Sequence, residues 1–290
     1  MLSLIHILVF INLVLSRASL GRIVEVLDEK VDLQDGDKTE AKVKDGSVEF
    51  ENVSFRYDIN AKNDILEHVN LKINSGETVG IIGGTGSAKT TLVQLIPRLY
   101  DVTGGRILVG GLDVREYATE ELRNAVSMVL QKNVLFSGTI RENLKWGNEE
   151  ATDEEIIAAC KAAQAHDFIM AFPRGYDTDL GQGGVNVSGG QKQRLCIARA
   201  LLKRPKIIIL DDSTSAVDTA TDAKIREALG RELKGTTTII IAQRISSVCE
   251  ADKIVVLEEG KIQAVGTHEE LLRSNAIYRE VYESQQKGVA

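Results

Sequence analysis

The sequence predicts an α/β fold, a mixed sheet with flanking helices, and three observations carry that expectation. Short apolar runs of strand length recur at Thr78 to Ile82, Val126 to Leu130, Ile207 to Leu210, Thr238 to Ile241 and Lys253 to Leu257. Runs of this kind suit strands buried on both faces. The run at 78–82 enters a glycine-rich loop, and helical spacing follows it from Lys89 to Leu99. Between the runs at 126–130 and 207–210, the block 139–203 reads mostly as helix. A helical subdomain over about 132–203 is therefore expected.

The elements follow in chain order. Met1 to Leu15 is apolar and uncharged. Fifteen residues fall short of the about 20 that span a bilayer as a helix. A signal peptide would want a basic n-region, which this segment lacks. A buried core helix is a second reading. The preferred one is the end of a last transmembrane helix whose beginning lies outside the sequence. Ser16-Arg17-Ala18-Ser19 and the amphipathic 22–27 that follow suit its cytoplasmic extension. Residues 28–46, rich in Asp, Lys, Glu and Gly, read as a linker, leaving 47–290 as the compact domain. There, Val48 to Tyr57 and Ile65 to Ile73 alternate apolar and polar side chains, as half-exposed strands do.

Composition excludes several classes. The 290 residues carry a net charge of −7 without a long basic run, which argues against a nucleic-acid partner. Cys160, Cys196 and Cys249 are scattered and read as reduced thiols. His6, His68, His166 and His268 show no ligand spacing, so no protein-bound zinc is expected.

The chemistry lies in three separated stretches. Gly83, Gly84, Thr85, Gly86, Ser87, Ala88, Lys89, Thr90 and Thr91 form a strand–loop–helix transition. Backbone N–H groups of such a loop curl around a β-phosphate, and the helix N-terminus adds partial positive charge. Lys89 would reach the β- and γ-phosphates and the Thr90 hydroxyl a Mg2+ ion. The strict motif has glycine before the lysine. Ala88 stands there, and is expected at negative φ with its methyl turned from the phosphates. Asp211 ends an apolar run, where a carboxylate serves as a magnesium partner. The third stretch is Val187-Ser188-Gly189-Gly190-Gln191. Ser188 can cap the helix that follows, and the glycines leave its N–H groups bare for an anion.

With these stretches in place, the chain resembles the ATP-binding cassette (ABC) family over residues 48–273. The family signature is Leu-Ser-Gly-Gly-Gln, from which Val187 is a mild departure. The resemblance implies a P-loop NTPase core of ABC type with an antiparallel β subdomain and the helical subdomain. It implies ATP and Mg2+ as ligands. Tyr57 matches the aromatic residue on which adenine stacks. Gln131 matches the glutamine that touches magnesium and links to the membrane domain. Asp218, in Ser215-Ala216-Val217-Asp218, matches the loop crossing the dimer interface.

Two departures stand where the family carries its catalytic glutamate and its histidine: Asp212 and Gln243. Asp212 is one methylene shorter, and a misplacement of about 1 Å can cost about 100-fold. Gln243 can donate a hydrogen bond but carries no positive charge. Gln182 also stands where similar exporters often have an acidic residue. The resemblance implies an exporter half with its membrane helices ahead of the cassette, nearly all of them missing here; the alternatives are a nucleotide-binding regulatory module without hydrolysis and a soluble cassette ATPase without transport. It implies a second half-transporter as partner, more readily in a heterodimer than a homodimer. In such a pair this chain's own site is slow, and its signature completes the partner's. The expected location is the plasma membrane, with the cassette on the cytoplasmic side.

Overall fold

The computed structural model describes residues 2–29, 31–35, 40–58, 60–212 and 219–287. Two compact units divide between Gln34 and Asp35. The first is essentially α1 (Leu2–Leu27), a single helix of 26 residues. The apolar run does not stop at Leu15. The helix carries on through Arg17 and Arg22, so that Leu4–Leu27, of mean hydropathy 1.8, is long and apolar enough to cross a membrane. At 1.5 Å per residue that stretch spans about 36 Å.

The second unit opens with β1 (Val48–Phe55), β2 (Leu66–Ile73) and β3 (Thr78–Ile82), then α2 (Lys89–Gln94), β4 (Gly104–Val109) and β5 (Leu112–Asp113). Helix α2 is shorter than the spacing from 89 to 99 predicts. Pro97 is the reason, because its ring disfavours the α region at the residue before it and it lacks an N–H. Next come α3 (Thr119–Ala125), β6 (Val126–Val129), β7 (Gly138–Thr139), α4 (Ile140–Lys145), α5 (Asp153–Ala162), α6 (His166–Met170), β8 (Asp179–Leu180) and α7 (Gly189–Leu202). The chain closes with β9 (Ile207–Asp211), α8 (Thr219–Glu232), β10 (Thr237–Ile241), β11 (Lys253–Glu258), β12 (Lys261–Gly266), α9 (His268–Ser274) and α10 (Ala276–Lys287).

Six strands make the main sheet, in the order β12-β11-β3-β10-β9-β6. The five from β11 to β6 are parallel, and β12 pairs antiparallel on the edge. Strand β9 is buried at all five positions, as its run of three isoleucines and a leucine requires. A second sheet, β2-β1-β4-β5, is antiparallel throughout. Its inner face shares one core with the main sheet: Val48, Phe50, Phe55 and Ile107 pack with Val79, Ile209, Ile239 and Val255. A separate cluster holds α4, α5, α6 and α7 against the sheet through Ile140, Ile156, Ile169, Leu195 and Ile208. That packing, more than intrinsic propensity, keeps helices of five to fourteen residues folded.

Among the described residues, four helix starts are fixed by reciprocal side-chain bonds. Capping boxes close α4 (Thr139 with Glu142), α5 (Thr152 with Glu155), α7 (Ser188 with Gln191) and α9 (Thr267 with Glu270).

Candidate nucleotide-binding site

In a parallel sheet all strand C-termini point to one edge, and the loops leaving that edge form the ligand crevice. Here β3 leads into the glycine loop, β9 ends at Asp211, β10 leads to Gln243, and β6 leads to Gln131. Residues drawn from four places in the sequence thus meet in one cleft of about 640 Å³.

The glycine loop closes on its own lysine. Lys89 Nζ donates to the Gly83 and Gly84 carbonyls at 2.8 and 2.7 Å and to Ser87 Oγ at 3.2 Å. Gly83 is required by close approach, since a Cβ there would meet the Leu257 carbonyl oxygen at 2.0 Å. Gly86 turns the loop at φ +83°. Ala88 corrects the expectation from sequence. It adopts the left-handed region, φ +70° and ψ 21°, not negative φ. The loop needs that turn to aim the following N–H groups inward, and alanine adopts it at a steric cost of roughly 1–2 kcal/mol that glycine avoids.

Thr90 Oγ1 donates to Asp211 Oδ2 at 2.8 Å. Asp211 is only 3 % exposed. Burial pushes its carboxyl above the ordinary carboxylate range, and the Asp212 charge adds to that. The Thr90 bond and the Lys89 charge pull the other way. The Lys89 ammonium sits below its ordinary value, because desolvation outweighs the two aspartates. Two oxygens, one hydroxyl and one carboxylate, converging beside a phosphate loop are a hard donor set that suits Mg2+.

Asp212 follows in the left-handed region at φ +46°. Its N–H donates to the Ile241 carbonyl at 2.9 Å, extending the β9–β10 ladder. Its Oδ2 accepts from Gln243 Nε2 at 2.9 Å and from Gln131 Nε2 at 3.3 Å. The three residues singled out for catalysis therefore form one hydrogen-bonded group. Gln193 in α7 adds a bond from Nε2 to the Asp212 carbonyl at 3.4 Å.

Tyr57 stands at the mouth, about half exposed. Its hydroxyl shares a hydrogen bond with Thr91 Oγ1 at 3.0 Å, and its ring meets Phe55 and Tyr100 edge to face at 4.9 and 5.0 Å. Those contacts hold one face of the ring in place.

Val187, Ser188, Gly189, Gly190 and Gln191 do not line this cleft. They form the N-terminus of α7, where the Gln191 N–H donates to Ser188 Oγ at 3.3 Å and the Ser188 N–H to Gln191 Oε1 at 2.9 Å. Val187 is buried in the helical core, while Ser188 and Gly189 face outward. Asp218 lies outside the described residues.

Three residues of α10 complete the cleft wall: Ile277, Tyr278 and Val281. The resemblance ended at residue 273 and missed them. Their apolar spacing, one helical turn apart with Tyr282 beside them, was the available signal.

A family model described as ABC transporter matches residues 66–215, more than half the chain. The chain belongs to the ABC transporter family. Among its ABC relatives is a Bacillus subtilis protein provisionally named multidrug export ATP-binding/permease protein YgaD, 53 % identical over 237 residues, which are 82 % of this chain and 41 % of the relative. A Staphylococcus aureus (strain NCTC 8325) protein provisionally named multidrug export ATP-binding/permease protein is 46 % identical over 264 residues, 91 % of this chain and 46 % of its own. A solved bacterial Atm1-family ABC exporter with ATP bound superposes at TM-score 0.87, with 37 % identity, over 92 % of this chain and 46 % of that one. The chain thus spans less than half the length of the relatives it matches.

Proposed function

We propose that the chain binds MgATP in this cleft and turns it over to drive export of a substrate across a membrane. The meeting of Lys89, Thr90 and Asp211 at the ends of β3 and β9 carries this reading. Lys89 would neutralise the β- and γ-phosphates, and loop N–H groups would cradle them. Tyr57 would stack on the adenine. Thr90, Gln131 and Asp211 would hold Mg2+, which neutralises phosphate charge when bound.

Gln131, Asp212 and Gln243 would surround the attacking water and the γ-phosphate. Asp212 accepts the proton and orients the water, and Gln243 donates to the phosphate. With the shorter carboxylate and an amide that holds no charge, this site is a slow one. Two such domains, head to tail, would enclose two ATP molecules. Ser188 and Gly190 would then face the partner's γ-phosphate, and Asp218 would cross the interface. A partner with glutamate and histidine in place supplies the fast site, which favours a heterodimer.

The names of the relatives support an exporter, of multidrug type. The membrane partner has a candidate seat on the segment that follows Gln131 in the chain. Val134, Phe136 and Trp146 are exposed, with the Phe136 and Trp146 rings stacked at 4.8 Å. Exposed stacked aromatics of this kind mark protein contacts. The site is assigned to the cytoplasmic side of the plasma membrane.

The ATPase rate of the reconstituted pair tests the reading, with each change made only in this chain. Ser188→Arg should abolish hydrolysis by blocking closure over the partner's ATP. Asp212→Ala should leave most of it. A larger loss from Asp212→Ala would overturn the assignment of the slow site, and absence of MgATP binding would overturn the whole.

A further inference from the structure

The C-terminal helix reaches into the catalytic group through one side chain. Gln285 Nε2 donates to the Gln243 carbonyl at 2.8 Å, and Gln285 Oε1 accepts from the Ile245 N–H at 2.8 Å. One primary amide thus satisfies an acceptor and a donor two residues apart, the way a neighbouring strand would. Strand β3 reaches as far as Ala242, whose N–H donates to the Ile81 carbonyl at 3.3 Å, and Gln285 takes up the pairing beyond it. The Gln243 side chain, held by this bracket at its own carbonyl, is the one that donates to Asp212 Oδ2 at 2.9 Å.

The bracket stands on a firm base. Helix α10 begins with the Tyr278 N–H donating to Asn275 Oδ1 at 2.8 Å. Tyr278 is fully buried, sharing a core with Ala242, Ile245 and Val248. Its hydroxyl meets His268 Nδ1 at 2.7 Å, tying α10 to α9. Ile277, Val281 and Gln285 recur every four residues, so they share one helix face. The first two line the cleft, and the third holds its loop.

We infer that Gln285 is a positioning residue for Gln243, setting where its amide lies relative to Asp212 and the γ-phosphate. The inference rests on the proposed role of Gln243 in ATP turnover. Gln285 does not line the cleft, so it acts on the rate of the chemical step and not on nucleotide affinity.

The test uses the full chain in detergent, with enzyme in excess over radiolabelled ATP so that a single turnover is seen. Four proteins are compared: wild type, Gln285→Ala, Gln243→Ala and the double variant. Gln285→Ala should slow the turnover about tenfold or more, the order expected from a small misplacement of a reacting group. Its Kd for MgATP should stay within about twofold. The double variant should be no slower than Gln243→Ala alone, since both changes remove one interaction. A fifth protein, Gln285→Met, close in length but unable to bond either backbone group, should behave as Gln285→Ala. Amide exchange at Ile245 should quicken in Gln285→Ala while β10 and β11 stay protected.

Additive losses in the double variant would overturn the inference, as would a parallel loss of affinity or a Gln285→Ala rate equal to wild type. A wild-type chain that binds MgATP but never turns it over would overturn it too. A chain that binds no MgATP would instead sink the proposed function itself.

Discussion

Gln243 Nε2 lies 2.9 Å from Asp212 Oδ2, a bond between two side chains 31 positions apart. The amide orients the carboxylate but neither donates a full charge nor exchanges a proton. Restoring Asp212→Glu and Gln243→His together should raise steady-state turnover by about 100-fold or more, the scale of positioned acid–base groups. Each single change should give less than its share, because both groups act on one water and one phosphate. Phosphate release by the four proteins checks this, and a double variant no faster than wild type would refute the slow-site reading.

Ala88 offers a stability test. Its φ of +70° is strained for any residue with a Cβ. Ala88→Gly removes that strain but loosens the unfolded chain, a smaller opposing effect. The net gain should be about 0.5–1 kcal/mol in urea unfolding. Ala88→Val should lose stability, because a β-branched side chain suits that region least. A destabilised Ala88→Gly would mean that the methyl contributes packing worth more than the strain.

Tyr57 separates ring from hydroxyl. Tyr57→Ala removes the stacking face and should weaken ATP binding by about 1–3 kcal/mol. Tyr57→Phe keeps the ring and loses the hydroxyl's bonds to Thr91 and Gln94, so ATP affinity should stay near wild type. Its cost should appear in folding stability, at about 0.5–1.5 kcal/mol. Equal affinity losses in the two variants would show that the hydroxyl, not the ring, binds the nucleotide.

The thiols give a pH-linked prediction. Burial pushes Cys160 from an ordinary 9.0 up to about 12. The folded thiol holds its proton more tightly than the unfolded one. The stability this contributes is complete below pH 9 and is lost as pH rises through about 12. At pH 8 the folded thiol carries roughly a thousandfold less thiolate than an unperturbed one. Burial raises Cys196 as well. A maleimide reagent at pH 8 should therefore modify Cys249 first, and the other two only on unfolding. Fast labelling of Cys160 in the native chain would show that the helical core opens readily.

Much of this site was legible because its parts are local. The glycine loop, the strand ending at Asp211 and the Ser188 cap each announce themselves within a few residues. The main-sheet strands were legible for the same reason, as buried runs such as Ile207 to Leu210 have no polar interruption. Strand β12 was not, since its Lys261–Gly266 alternates between exposed and half-buried positions on a sheet edge. Strand β4 was not legible either, since it opens on two glycines and only Ile107 and Val109 of its six residues are buried. Ala88 was misjudged because its conformation is imposed by the loop around it, against its own preference. Gln285 was invisible because its bonds to Gln243 and Ile245 join segments 42 and 40 residues apart.

The four capping boxes differ in one atom type, and that difference has a consequence. Those of α4, α5 and α9 close with Glu142, Glu155 and Glu270, while that of α7 closes with Gln191. Glutamate and glutamine have the same shape, so either would hold the Ser188 N–H. Only glutamine does so without setting a negative charge on the turn, and α7 has no acidic residue in its first turn. The helix dipole there is left uncancelled. Gln191→Glu should therefore hold or slightly raise the melting temperature and yet repel any phosphate the helix approaches, raising the ATP concentration at which two such domains associate. Neutrality at this one cap is what separates a helix that merely begins from one that can receive an anion.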